Sequence, residues 1–254
     1  MSKVISVVSQ KGGVGKTTST INLAASLVKR GKKVLIIDID PQGNATTGVG
    51  IDRSSLKLSV YDLLVNDEKA NKVIRHTKVD NLDILPTKID LAGADIELVN
   101  TPKRDVKLKL AIAGIKSLYD YILIDCPPSL GLLTLNALSA SNSVIIPVQC
   151  EYYALEGLTQ LLATIMRVQK SINKTLEIEG VLLTMLDLRT NLGMEVVEEV
   201  KVYFKSKVFK SIVPRAVRIS EAPAYGLPIT EYDISSKGAK AYLSLAKEVI
   251  ENNE

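Results

Sequence analysis

The feature that most constrains this chain is a glycine loop set between two different periodicities. Residues 3–9 form an apolar run of strand length, and the apolar spacing from about Thr17 to Lys29 is that of an amphipathic helix. The chain passes from one to the other through Ser9-Gln10-Lys11-Gly12-Gly13-Val14-Gly15-Lys16-Thr17-Thr18. Glycines in such a strand-to-helix junction let successive backbone N–H groups turn inward as an anion nest. The positive end of the helix dipole falls at the same place. Residues Gly12, Gly13, Val14, Gly15 and Thr18 therefore form a phosphate cradle. Lys16 is placed to reach the β- and γ-phosphates of a nucleotide, and the Thr17 hydroxyl to ligate Mg²⁺.

The remainder of the chain repeats the strand-then-helix alternation. Apolar runs recur at 34–37, 82–85, 121–124, 143–148 and 180–185, with a seventh expected at 209–213 before Pro214. Helical patterns lie at about 104–117, 131–140, 154–171, 191–205 and 236–251. Strands apolar on both faces and separated by helices imply a doubly wound, mostly parallel α/β sheet with helices on both faces. One domain spanning 1–254 is the simplest organisation, and 43–80 is the segment with the weakest period. In such sheets ligands sit beyond the carboxyl ends of the strands. The polar residues after each run are therefore the candidates.

Two of those positions carry aspartates. Ile122-Leu123-Ile124-Asp125 is four apolar residues, counting Tyr121, and then a carboxylate, the Walker B arrangement in which Asp125 holds Mg²⁺ through water. Pro127-Pro128 stiffens the next segment and Gly131 supplies a pivot, so this segment is placed to sense a γ-phosphate. After the second run stands Asp38-Ile39-Asp40-Pro41-Gln42-Gly43-Asn44. Neither Asn71-Lys72-Val73-Ile74 nor Asn173-Lys174-Thr175-Leu176 completes an Asn-Lys-x-Asp guanine motif, which favours ATP over GTP.

Composition removes several classes of function. The only cysteines, Cys126 and Cys150, form no CxxC pair and no framework, so a reducing cytoplasmic setting is expected. Cys126 adjoins a buried strand end and reads as core. No run of about 18 apolar residues is present, and the last residues, from Ala246, lack a basic amphipathic pattern, so no membrane partner is expected. The net charge of +4 says little by itself, but Lys201, Lys205, Lys207, Lys210, Arg215 and Arg218 fall in a stretch with no acidic residue. That stretch is either a solvated face or a phosphate-binding one. With aromatics at 4 % and no Trp, base stacking is not expected of it.

The loop departs from the general phosphate-loop pattern, since Gln10 stands where glycine is usual and Lys11 follows it. It matches the deviant form KGGxGKT and resembles that of the ParA/MinD ATPases. Asp38 to Gly50, Pro127 to Ala137, Gln149 to Gly157 and Ser220-Glu221-Ala222-Pro223 extend the resemblance to the chromosomal Soj-type ParA group. The resemblance implies that Lys11 reaches across a homodimer interface to the partner's nucleotide, with Gly12 at the close approach. It implies that Asp40 positions or activates the attacking water and that Asp38 lies near the metal shell. It implies an adenine pocket using Met185, Asp187 and Pro214. It further implies ATP-dependent dimerisation, nonspecific binding of double-stranded DNA, a ParB-type centromere-binding partner that stimulates hydrolysis, and a nucleoid-associated location. On that footing Arg189 and Arg218 are the first DNA-contact candidates, followed by Lys201, Lys205, Lys207 and Lys210. The loop begins about ten residues from Met1, so no N-terminal helix-turn-helix domain is expected, and no C-terminal membrane helix of the MinD kind. Two other readings stay open: a ParA-like positioner of another cargo, and a redox carrier similar to the nitrogenase iron protein, which shares the loop but needs cysteines bridging a dimer.

Overall fold

A computed structural model describes residues 2–151, 158–186 and 191–254 of the chain. The apolar runs become strands β1 (Lys3–Val7), β2 (Val34–Asp38), β4 (Leu82–Leu85), β5 (Tyr121–Asp125), β6 (Ser143–Gln149) and β7 (Glu177–Thr184), with β3 (Arg75–His76) as a short edge strand. They form one seven-stranded sheet in the order β3-β4-β2-β5-β1-β6-β7, parallel throughout except where β3 meets β4. The longer helices are α1 (Lys16–Val28), α2 (Leu132–Ala140), α3 (Leu158–Ser171), α4 (Asn191–Phe204) and α5 (Lys237–Glu251).

Both faces of the sheet are apolar, and each strand except β3 divides its residues between two cores. Ile5, Val7, Ile36 and Leu123 pack with α1 and α5, where Leu23, Leu27, Tyr242 and Leu245 are buried. Val4, Leu35, Ile37, Ile122 and Ile124 face the other way, toward α2, α3 and α4 through Leu138, Leu161 and Val200. Each fully buried Leu, Ile or Val contributes about 1.5–3 kcal/mol relative to an exposed one, so the two cores fix the sheet between its helices. Register then decides what meets at the sheet's carboxyl edge. Asp38 and Asp125 are direct neighbours across β2 and β5, and Val7 of β1 stands beside Asp125 on the other side.

Two expectations fail here. The segment at 209–213 is not a strand of the sheet. It runs beside β7 with only isolated bridges, Val181 to Val208 and Leu186 to Pro214. Phe209 N–H and Val213 N–H bond to β7 carbonyls, but the N–H groups of Lys210 and Ser211 both donate to the Glu248 carboxylate at 2.7 Å. A side chain of α5 thus diverts the Ser211 N–H, the donor that by alternation with Phe209 and Val213 would extend a ladder toward β7. The seventh strand is instead β3, at the opposite edge, a two-residue piece too short to show a period. The helix expected over 104–117 is broken into a 3₁₀ turn at Arg104–Val106, a helix at Lys107–Ala111 and a second 3₁₀ turn at Lys116–Leu118. Asn136 on α2 accepts the Leu108 N–H at 3.0 Å, which pins the middle piece by its own start rather than as the continuation of a longer helix.

Candidate functional site

The phosphate loop leaves the middle of the sheet at the end of β1. Gly13 and Gly15 adopt φ of 75° and 87°, a backbone region that other residues enter only at a cost, and Gly15 is the residue from which α1 starts. No side chain caps α1, and no acidic residue lies in its first turn, so its leading N–H groups are left for a ligand. Gly12 and Gly13 are exposed at the loop tip, and a Cβ on Gly12 would meet no atom of the described residues within 4 Å. Lys11 is half-buried, and its carbonyl accepts from the Lys16 ammonium at 3.3 Å. Val14 is buried, with its carbonyl held by the Thr184 hydroxyl at 2.9 Å. Thr18 lines a cleft on the far side of the loop.

The three aspartates meet this loop. Thr17 donates to Asp125 Oδ2 at 2.7 Å and Thr20 to Asp125 Oδ1 at 3.2 Å, so both oxygens of Asp125 are held by hydroxyls of α1. Asp38 is fully buried and accepts from Thr46 N–H at 2.8 Å, Thr46 Oγ1 at 2.7 Å and Asp40 N–H at 3.2 Å. The Thr46 hydroxyl in turn accepts from Thr87 N–H at 3.0 Å, tying the loop after β2 to the end of β4. Asp40 is nearly buried, with Oδ1 taking the Gln42 N–H at 3.0 Å.

The electrostatics of this cluster are those of a site with more negative than positive charge. Burial raises the Asp38 carboxyl to about 6, only partly offset by its bonds to Thr46. Asp125 is pushed well above the carboxylate range, first by burial and then by Asp38, while its bond from Thr17 works the other way. Burial lowers Lys16, against the attraction of Asp125. One lysine among three carboxylates leaves room for a divalent cation. Among the described residues no three Cys, His, Asp or Glu side chains make a closed cage. The hard oxygen donors Thr17 and Asp125 fit Mg²⁺, which keeps most of its shell as water and phosphate oxygen and takes one or two protein groups. Asp38 sits behind them, bound to Thr46.

The cleft beside the loop has a volume of about 230 Å³ and is lined by Gly15, Thr18, Thr184, Met185, Pro214 and Tyr242, among others. Met185 and Pro214, two of the three residues expected of an adenine pocket, both line this cleft, with Met185 at a positive φ of 54°. Asp187 lies outside the described residues, as does Arg189. Thr184 and Tyr242 carry no signal in the sequence that would place them here. Tyr242 comes from the middle of α5, where it reads as a core residue, and it bonds to Ser19 of α1 at 3.2 Å.

The residues of the basic stretch differ in how far they are engaged within the chain. Lys205, Lys207 and Lys210 are exposed. Lys201 pairs with Glu198 at 2.9 Å, one helical turn away. The guanidinium of Arg218 is engaged within the chain by Glu221 at 3.2 Å, the Tyr232 hydroxyl at 3.3 Å and Asp233 at 3.8 Å, and lies over the Tyr232 ring. Lys210 shares a groove of about 570 Å³ with Lys237 and Lys240 of α5, two cations that sequence position alone does not group with it. Both cysteines are buried, and burial raises both thiols, Cys150 to about 11. Neither resembles an exposed cluster ligand at a subunit boundary.

A family model described as an AAA domain matches residues 2–178. The chain is 61 % identical over 252 residues to the sporulation initiation inhibitor protein Soj of Bacillus subtilis, covering 99 % of this chain and 100 % of that one. It is 54 % identical to the chromosome-partitioning ATPase Soj of Treponema pallidum, covering 98 % of each. Among solved structures, cobyrinic acid a,c-diamide synthase from Mycobacterium smegmatis, with bound ATP analogue and magnesium, superposes with a TM-score of 0.86 at 37 % identity, over 97 % of this chain and 93 % of that one. No helix of the described residues is long and apolar enough to cross a membrane.

Proposed function

Because the chain belongs to the Soj/ParA family of chromosome-partitioning ATPases, we propose that it works as a switch in which Mg-ATP joins two copies and the joined pair holds duplex DNA without reading its sequence. The observation that carries the chemistry is the convergence of Lys16, Thr17, Asp38, Asp40 and Asp125 at the carboxyl ends of adjacent parallel strands. The α1 N-terminus and the loop amides cradle the β- and γ-phosphates, and Lys16 balances their charge. Mg²⁺, when bound by Thr17 with Asp125 behind it, supplies further charge neutralisation on the phosphate oxygens. Asp40 orients the attacking water and accepts its proton. Met185 and Pro214, which line the cleft beside the loop, would hold the adenine ring.

Lys11 acts on the nucleotide of the other subunit, where a cation stabilises the charge that develops on the transferred phosphoryl group. The exposed Gly12-Gly13 tip supports this, since no described residue stands against Gly12. Hydrolysis then requires the dimer. Two copies of the face bearing Lys205, Lys207 and Lys210 bind one duplex more tightly than a single copy, through effective concentration. Arg218 joins them once it exchanges Glu221 and Asp233 for phosphate. A ParB-type partner stimulates hydrolysis and returns the protein to the monomer, so that it alternates between cytoplasm and nucleoid.

The test is binding to a duplex of arbitrary sequence with Mg-ATP and with Mg-ADP, each at two salt concentrations. Tight binding is expected with ATP alone, weakening steeply with salt. Equal affinity with both nucleotides overturns the switch.

A further inference from the structure

The loop that presents Asp40 is held by a residue from outside it. Arg53 opens the 3₁₀ turn Arg53–Ser55, with Asp52 capping that turn through Ser54 N–H at 2.9 Å. From there its half-buried side chain turns back on the loop after β2. Arg53 Nη1 donates to the Gln42 carbonyl at 2.6 Å and Nη2 to the Pro41 carbonyl at 3.2 Å. The guanidinium lies over Gly43, where a Cβ would stand 2.6 Å from both Cζ and Nε. Gly43 itself has a φ of 66°.

Those two carbonyls belong to the two peptide units that hold Asp40. The Pro41 carbonyl and the Gln42 N–H are opposite ends of one planar unit, and that N–H donates to Asp40 Oδ1 at 3.0 Å. The Gln42 carbonyl and the Gly43 N–H are opposite ends of the next, and that N–H donates to the Asp40 carbonyl at 2.8 Å. One rigid fork therefore sets the orientation of both units, one through each nitrogen. Rotating either unit would turn an Asp40 partner away and break an arginine bond together. A lysine cannot reproduce this, because a single ammonium does not present two coplanar donors.

We infer that Arg53 is a positioning residue for hydrolysis, which holds the Asp40 carboxylate in the one orientation that serves the attacking water. This rests on the role proposed for Asp40. It does not require Arg53 to touch nucleotide or metal.

The experiment measures steady-state ATP turnover with duplex DNA present, the Kd for ATP, and the melting temperature of four proteins: wild type, Arg53→Ala, Arg53→Lys and Asp40→Ala. Both Arg53 variants are expected to lose about ten- to a hundredfold in kcat, since small misplacement of a reacting group has effects of that size. Their KM and Kd for ATP should stay within about twofold of wild type, as expected when ground-state binding is untouched. Arg53→Lys at wild-type kcat, or either variant weakening ATP binding as much as it slows turnover, overturns the inference, because charge, bulk or general loop integrity would then be enough. Should Arg53→Ala fail to fold, Arg53→Lys carries the same comparison. Asp40→Ala separates the two levels. If it abolishes turnover while both Arg53 variants keep wild-type kcat, only the role of Arg53 falls. If Asp40→Ala turns over normally, the role of Asp40 falls and that of Arg53 with it.

Discussion

The carboxyl ends of β1, β2 and β5 and the stretch from Lys201 to Glu221 both carry dense charge, and they handle it in opposite ways. At the strand ends Lys16, Asp38, Asp40 and Asp125 are buried or nearly so, and the bonds of the aspartates come from named donors on α1, the loop after β2 and the residues around Thr46. In the C-terminal stretch the charges stand in solvent, and their pairs are exposed ones, Lys201 with Glu198, Arg215 with Glu151 and Arg218 with Glu221 and Asp233. Buried charges act by geometry, because low dielectric magnifies each contact and each lost partner. Exposed charges act by number, since each is screened and replaceable. On the proposed reading, the same residue types serve a chemical step in one place and a salt-dependent attraction in the other.

That contrast can be broken by substitution. The largest effect is expected at Lys16→Ala, which should eliminate ATP turnover and Mg-ATP binding, read by equilibrium binding of a fluorescent ATP analogue. Wild-type binding would mean the loop is not the phosphate site. In the exposed stretch the effects should be smaller and additive. Lys205→Ala with Lys207→Ala should leave ATP turnover unchanged without DNA, weaken DNA binding uniformly across sequences, and lower the log–log salt slope by about 4, two contacts from each copy in the pair. A change confined to one DNA sequence would contradict the screened-charge view.

The smallest effect is a pH dependence that only the buried cluster should show. Asp38 is raised to about 6 in the folded protein, above its unfolded value near 3.9. Between those values the native state keeps a proton that the unfolded chain has lost, so stability falls as pH rises, and the deficit is complete above about pH 6. Lowering the pH of the nucleotide-free protein from about 7 to about 5.5 should therefore add on the order of 1 kcal/mol relative to Asp38→Asn, measured by urea unfolding of both. Identical pH slopes for the two proteins would show that Asp38 does not titrate there.

Much of the site was legible because its signals are local. The order strand, glycine loop, helix is contained in residues 3–29, and a carboxylate after an apolar run needs no partner to be recognised. What escaped depends on distant segments. The failure of 209–213 as a strand follows from Glu248, nearly forty residues on, taking the Ser211 N–H that would pair with β7. Tyr242 reaches the cleft only because α5 packs on α1. Lys237 and Lys240 join Lys210 through the same docking. Arg53 sits in the segment with the least periodic pattern, and its role appears only when the loop folds back beneath it.

By itself the sequence determined the alternating α/β plan, the phosphate loop with its extra lysine, and the three aspartates, because backbone preference and hydrophobic period act over a few residues at a time. The tertiary structure decided which of these meet. Parallel register set Asp38 beside Asp125, burial raised both carboxyls, and packing brought Arg53 onto the loop of Asp40. Such pairings depend on how whole elements dock, and elements dock by burying apolar faces whose partners lie far apart along the chain.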